Sequence, residues 1–210
     1  MLNLCLAAIT VFAQNVAVQT GNQNELKPMR LRCEYRTDPV GIDAVKPPRS
    51  WVLESEARDQ RQTAYQIRVA SGLDMLAEKG DLWDTGKIDS LEQNQIEYGG
   101  VALASHMTCY WTVRVWEEDG EPGPWSDAAQ WTMGILDADD WKAGWITAPE
   151  GVAQEAGKSG PLPIFRHEFE LTKPVRRALL YACGLGFHEA YLNGTRAGDA
   201  VFEPGWTHYR

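Results

Sequence analysis

The sequence predicts an all-β protein, in which a β-sandwich is followed by the beginning of a second β-domain. Short runs of alternating apolar and polar residues recur with turn signals roughly every ten residues, as in sandwiches. No stretch of more than two turns has convincing helical periodicity. Residues 162–210 contain alternating segments and an Asn193-Gly194 turn, but they are too few for the seven or eight strands of a sandwich or jelly roll. We therefore expect the chain to be the N-terminal piece of a longer protein.

The first 24 residues differ from the rest in composition. Residues 1–13 form an apolar run that is too short to span a bilayer and is typical of the core of a secretory signal, although the positive n-region is missing. We expect a truncated signal peptide over 1–13, an Asn/Gln-rich linker over 14–24, and export to the periplasm or the exterior. An apolar strand or a disordered tail is the alternative interpretation of the first segment.

The first domain is predicted over residues 25–136. Its predicted elements are strands at 29–34, 50–53, 65–69, 80–86, 110–116 and 128–133, with a helical turn at 73–79. In the two clearest strands the residues predicted to face the core are Tyr65, Ile67, Val69, Trp111, Val113 and Val115. A connector rich in Gly, Ala, Pro and Ser is predicted over 137–161, and the second domain over 162–210.

Charge excludes two classes of partner. The formal net charge is −9 and the pI is about 4.9, and no Lys/Arg run exceeds two residues. Such a surface repels phosphate backbones and anionic lipid, so we expect neither nucleic acid nor membrane as a partner. The nine tryptophans suit sandwich cores and sugar platforms equally, so their number does not decide between these uses.

Three cysteines would remain after removal of the leader: Cys33, Cys109 and Cys183. An odd number gives no complete disulfide framework, and no C-x-x-C pair is available for zinc. All three lie in apolar, strand-like surroundings, so we expect buried free thiols. A Cys33–Cys109 bridge is the alternative.

No motif in the chain specifies catalysis or a metal. Glu168, Glu170 and Glu189 lack the paired arrangement that a glycosidase needs, so we expect solvated surface carboxylates. The His167-Glu168 pair would need a second histidine where Leu171 stands, so a zinc protease is excluded. We predict no catalytic residue, no metal site and no cofactor in this chain.

Sugar binding is the chemistry that the residues allow. Tryptophan and tyrosine stack on the apolar faces of pyranose rings, and Asn and Asp pair with their hydroxyls. Asn193, Asp199 and Trp206 lie near turns in the last segment and are the candidate sugar-binding residues. The alternative is that Asn193-Gly194 only forms a type I′ turn and that Trp206 packs in a core.

An ordered set of short phrases resembles a known family. The phrases are DPVGID (38–43), PRSW (48–51), QTAYQIRVAS (62–71), GDLWDTG (80–86), YWTVRVW (110–116), WS (125–126), GLGF (184–187), YLNG (191–194) and PGWT (204–207). Together they resemble the N-terminal region of bacterial α-L-rhamnosidases. The resemblance covers nearly everything from about residue 32 onward.

The resemblance implies a fibronectin type III-like sandwich, followed by an incomplete, jelly-roll-like rhamnosidase N-terminal β-domain. In that family an α/α-toroid barrel further along removes terminal L-rhamnose from glycans or glycosides with inversion. The acid and base carboxylates lie in that barrel, so no catalytic residue carries over. The chain is then expected to pack against the missing barrel, and calcium is possible in the parent protein. The alternative function is a non-enzymatic carbohydrate-binding or adhesion module of fibronectin-like domains.

Overall fold

The computed structural model describes residues 25–118, 120–148 and 163–199. The chain divides into two compact units, the first ending at Trp145 and the second beginning at Ile146. The predicted signal peptide, the predicted linker and the candidate residue Trp206 lie outside the described residues. The domain bounds expected from the sequence remain predictions.

The first unit is a sandwich of two β-sheets. One sheet is antiparallel, with β1 (Lys27–Cys33), β3 (Pro48–Glu54) and β7 (Ile96–Glu97) in that order. The other sheet has the order β2 (Val40–Ile42), β9 (Ala129–Met133), β8 (Thr108–Trp116), β4 (Ala64–Ala70) and β5 (Trp83–Asp84), and β6 (Ile88–Asp89) also pairs with β4. β2 runs parallel to β9, whereas the remaining pairs in this sheet are antiparallel. The predicted all-β sandwich is confirmed.

The core lies between the sheets, where the alternation in β4 and β8 placed it. Ile67, Val69, Trp111, Val113 and Val115 are fully buried, and β4 pairs with β8 along its whole length. Successive side chains of a strand point to opposite faces of the sheet. Large apolar side chains at every second position therefore all point into the core. The predicted helical turn is the short helix α1 (Leu73–Glu78), and the glycine-bounded segment 80–86 contains β5, as predicted.

The first strand departs from the simple alternation predicted for residues 29–34. A β-bulge interrupts its pairing with β3 between Met29 and Arg32, and Arg30 has a φ of 52°. A bulge inserts one extra residue, which changes the face to which the preceding side chains point. Leu31 and Cys33 are therefore buried, whereas Met29 is 38% exposed.

The three cysteines that the structure describes are free thiols, and two of them are buried. Burial raises the pKa of Cys33 to about 12 and that of Cys109 to about 12. The expectation of burial is wrong for Cys183, which is exposed. The segment around Cys183 forms no strand, so no second layer covers the thiol.

We expect iodoacetamide at pH 8 to alkylate Cys183 in the native chain and to leave Cys33 and Cys109 unmodified. The thiolate is the reactive form, and a buried thiol of high pKa supplies almost none of it. Peptide mapping by mass spectrometry, with and without urea, measures this for each residue. Labelling of Cys33 in native buffer at the rate of Cys183 would contradict the buried assignment.

The second unit contains one hairpin among its described residues. β10 (Tyr191–Leu192) and β11 (Thr195–Arg196) pair in antiparallel fashion around Asn193 and Gly194. The φ angles of these two residues are 49° and 80°, as a type I′ turn requires. The predicted Asn-Gly turn is thus confirmed, whereas residues 163–190 remain outside any named strand despite their alternating pattern.

Candidate functional site

The structure places the two described candidate sugar-binding residues on the hairpin and just after it. Asn193 occupies the turn and Asp199 a bend, and both are exposed. Among the described residues there is no hydrogen bond between them. Trp206, the third candidate, is not described, so the sugar site on this unit stays a prediction.

Glu189 is held by its neighbours on the same hairpin. The Tyr191 hydroxyl donates to Glu189 Oε2 at 2.8 Å, and Arg196 Nη2 lies 3.5 Å from Glu189 Oε1. The hydrogen bond to this carboxylate raises the pKa of Tyr191, because the phenol keeps its proton. Glu168 is a surface carboxylate paired with Arg166. Neither glutamate has the apolar pocket that a catalytic acid would need.

A groove of about 450 Å³ opens at one edge of the first unit, between β7 of one sheet and β5 and β6 of the other. Its lining includes Tyr65, Trp83, Asp84, Glu92, Ile96 and Glu97. Carboxylates and aromatic rings thus share one concave surface. The groove could not be predicted from the sequence, because its residues come from four separate segments. No local motif indicates that these segments lie close together in the fold.

The carboxylate of Asp84 is fixed at the end of β5. It accepts hydrogen bonds from Gln66 Nε2 at 2.5 Å and from Arg68 Nε at 3.1 Å. Burial opposes ionisation of Asp84, but these bonds and that from the Gly86 N–H outweigh it and lower the pKa. Asp84 is therefore an anion at neutral pH and offers the groove an acceptor of fixed orientation.

The opposite wall of the groove is held in place by the buried amide of Gln62. Its Nε2 donates to the carbonyl oxygens of Ser90 and Glu92, at 3.0 and 2.9 Å. Its Oε1 accepts from Trp51 Nε1 at 3.1 Å. A side chain 1% exposed thus makes three hydrogen bonds, and they tie the loop before β7 to the core.

The tryptophans of the first unit are mainly structural. Trp51, Trp111 and Trp131 are core residues, and Trp83 packs edge-on against Tyr98 at 5.5 Å. On the outer face of the larger sheet, Trp116 and Trp125 alternate with arginine side chains. Arg114 lies 4.9 Å from the Trp116 ring and 4.8 Å from that of Trp125, and Arg68 lies 4.5 Å from the latter. Such cation–π contacts are worth roughly 0.5–2 kcal/mol each, and the larger values apply where the pair is shielded from water.

The described ranges hold no group of three or more His, Cys, Asp and Glu residues that could bind a metal ion. Within the same ranges, no helix has the length and apolar character to cross a membrane.

Two protein families match the sequence. Residues 28–137 match the family described as "Rha78A-like, N-terminal immunoglobulin domain". Residues 173–210 match "Alpha-L-rhamnosidase N-terminal domain".

Individual relatives show the same relationship. An α-L-rhamnosidase of Formosa agariphila is 31% identical over 97% of this chain and 23% of its own length. The crystal structure of Streptomyces avermitilis α-L-rhamnosidase complexed with L-rhamnose is 38% identical and matches with a TM-score of 0.58, over 60% of this chain and 12% of that one. The native Aspergillus terreus α-L-rhamnosidase is 25% identical with a TM-score of 0.66, over 86% and 20% of the two chains. The chain thus spans less than a quarter of each of these relatives.

Proposed function

Since the chain belongs to the family of Rha78A-like N-terminal immunoglobulin domains, we propose that it is the non-catalytic N-terminal region of an α-L-rhamnosidase. The observation that carries this proposal is the order of the two family matches, which follow each other along the chain. The whole enzyme would remove terminal α-L-rhamnose from glycans or glycosides.

The geometry of the first unit suits a scaffold. Its core is closed, and its deepest polar groups are bound to the backbone or enclosed by rings. The groove carboxylate Asp84 is held by Gln66 and Arg68 and has a lowered pKa, whereas the acid of a glycosidase needs a raised pKa. In our proposal this unit therefore positions a catalytic domain and does no chemistry of its own.

In the second unit, we propose that Asn193, Asp199 and Trp206 bind sugar weakly. We also propose that the protein is exported, on the basis of the apolar run at residues 1–13. Rhamnose-containing glycans or glycosides would be the substrates of the whole protein, and calcium would be bound, if anywhere, in the parent protein.

The test is to sequence onward from the codon for Arg210 and to express two proteins: the 210-residue chain and the complete open reading frame. We expect p-nitrophenyl α-L-rhamnoside to be hydrolysed by the complete protein and not by the chain, whose signal should equal that of a heat-killed control. Release of p-nitrophenol by the chain alone would contradict the non-catalytic assignment. An inactive complete protein with a correct fold would contradict the assignment to an α-L-rhamnosidase.

A further inference from the structure

Arg49 is a buried charge at the centre of the first unit. It lies on β3, two residues before the core residue Trp51 and on the same face of the strand. Only 1% of its surface is exposed. Four aromatic rings enclose its guanidinium. Their centroids lie at 4.7 Å (Trp83), 5.3 Å (Tyr98), 5.8 Å (Trp131) and 6.0 Å (Trp111) from Arg49 Cζ.

The hydrogen bonding of this cation is incomplete. Arg49 Nη2 donates to the carbonyl oxygen of Ile96 at 3.1 Å. Arg49 Nε and Nη1 have no hydrogen-bond partner among the described residues, and neither does Trp111 Nε1, whose side chain is fully buried. Ring faces attract a cation but are weak acceptors for N–H groups. Buried donors of this kind almost always have an acceptor in native proteins.

Among the described residues, the charge is also without a counterion. The ionisable groups that act on Arg49 are two thiols and two phenols, of Cys33, Cys109, Tyr65 and Tyr98. Burial raises the pKa of Tyr98 to about 12 and the pKa of each thiol to about 12 as well, so these groups are neutral at pH 7. Burial lowers the pKa of Arg49 to about 10, which still leaves it protonated at that pH. A buried cation without an anion is strongly disfavoured.

We propose that this aromatic cage binds one small inorganic anion, a halide such as chloride, which accepts hydrogen bonds from the Arg49 guanidinium and from Trp111 Nε1. Arg49 Cζ lies 6.0 Å from the centre of the Trp111 ring, so the unpartnered donors of the two residues belong to the same small region of the core. A water molecule would satisfy the donors, but it would add two protons that need acceptors and would bring no charge. Trp83 and Ile96 contact Arg49 and also line the groove, so the path from solvent is short. This proposal is independent of the function proposed above.

The test compares the thermal unfolding of the chain in sodium chloride with that in sodium gluconate of equal ionic strength, because gluconate is too large for the cage. We expect Tm to be about 5 °C higher in chloride at saturation, with a hyperbolic dependence on chloride concentration. Arg49→Met and Trp111→Phe should each abolish the difference between the two salts. Trp116→Phe is the matched control, because Trp116 is also buried but packs against Arg114 on the outer face of the larger sheet and is not part of the cage, and it should keep the difference.

A crystal grown in bromide locates the ion directly. We expect an anomalous peak within hydrogen-bond distance of Arg49 and Trp111. Equal Tm values in the two salts, chloride dependence that survives both variants, bromide on the surface only, or a water at this position would each overturn the proposal. Since the readout is the difference between two salts, a general loss of stability in a variant does not imitate the result.

Discussion

Trp131→Ala is expected to destabilise the first unit by about 4 kcal/mol, the typical cost of deleting a buried aromatic side chain. Trp131 is fully buried on β9 and lies directly opposite Cys109 of β8. Its ring packs edge-on against Tyr98 at 6.2 Å and forms one side of the cage around Arg49. Its removal therefore opens a cavity beside a buried cation. Because domains of this size are stable by about 5–15 kcal/mol, the loss would be a large share of the total.

The measurement is urea unfolding followed by far-UV circular dichroism, which does not depend on the deleted fluorophore. Trp145→Ala is the matched control, because Trp145 is 69% exposed and its removal should change the free energy of unfolding by less than about 0.5 kcal/mol. If the two variants unfolded at similar urea concentrations, with equal denaturant slopes, Trp131 would not be a core residue.

The sequence predicted those strands of the sandwich in which apolar and polar residues alternate within the strand itself. β4 and β8 bury the apolar residues that their alternation selects, because both lie inside a sheet with one face on the core. The Asn193-Gly194 turn was equally local, since the backbone of these two residues determines it. Features that depend on contacts within a few residues of the chain are the ones that a single sequence reveals.

Polar residues inside the core could not be predicted in this way. Arg49 and Gln62 have side chains that are rarely buried, so the sequence alone favours exposure for both. Their burial depends on partners far along the chain: the rings of Trp83 and Trp131 for Arg49, and the carbonyl oxygen of Glu92 for Gln62. The groove could not be predicted either, because its lining residues also lie far apart along the chain.

The second unit shows the reverse difficulty. Phe165, Phe169 and Leu171 alternate as a strand would, yet they are exposed and belong to no strand. A strand forms only when a neighbour satisfies its backbone groups, so an alternating pattern is a necessary condition and not a sufficient one. This is also why the expected burial of Cys183 was wrong.

Gln62→Ala is expected to cost about 3 kcal/mol, although it removes no charge and little apolar surface. The substitution leaves Trp51 Nε1 and the carbonyl oxygens of Ser90 and Glu92 without their partner, and unpaired buried polar groups cost about 1–3 kcal/mol each before relaxation. The loop from Ser90 to Glu92 should then open locally. Amide hydrogen exchange of residues 90–96 should accelerate more than that of β4 or β8.

Gln95→Ala separates this effect from the mere loss of a glutamine near the groove. Gln95 is exposed and donates to the Tyr35 hydroxyl at 3.0 Å, so its replacement should change stability by less than about 0.5 kcal/mol. Gln62→Leu keeps most of the volume and should remain nearly as destabilising as Gln62→Ala, because the orphaned groups are the same. If Gln62→Leu instead restored wild-type stability and exchange, packing alone would hold the loop. The groove wall would then depend on side-chain volume and not on the three hydrogen bonds of one buried amide.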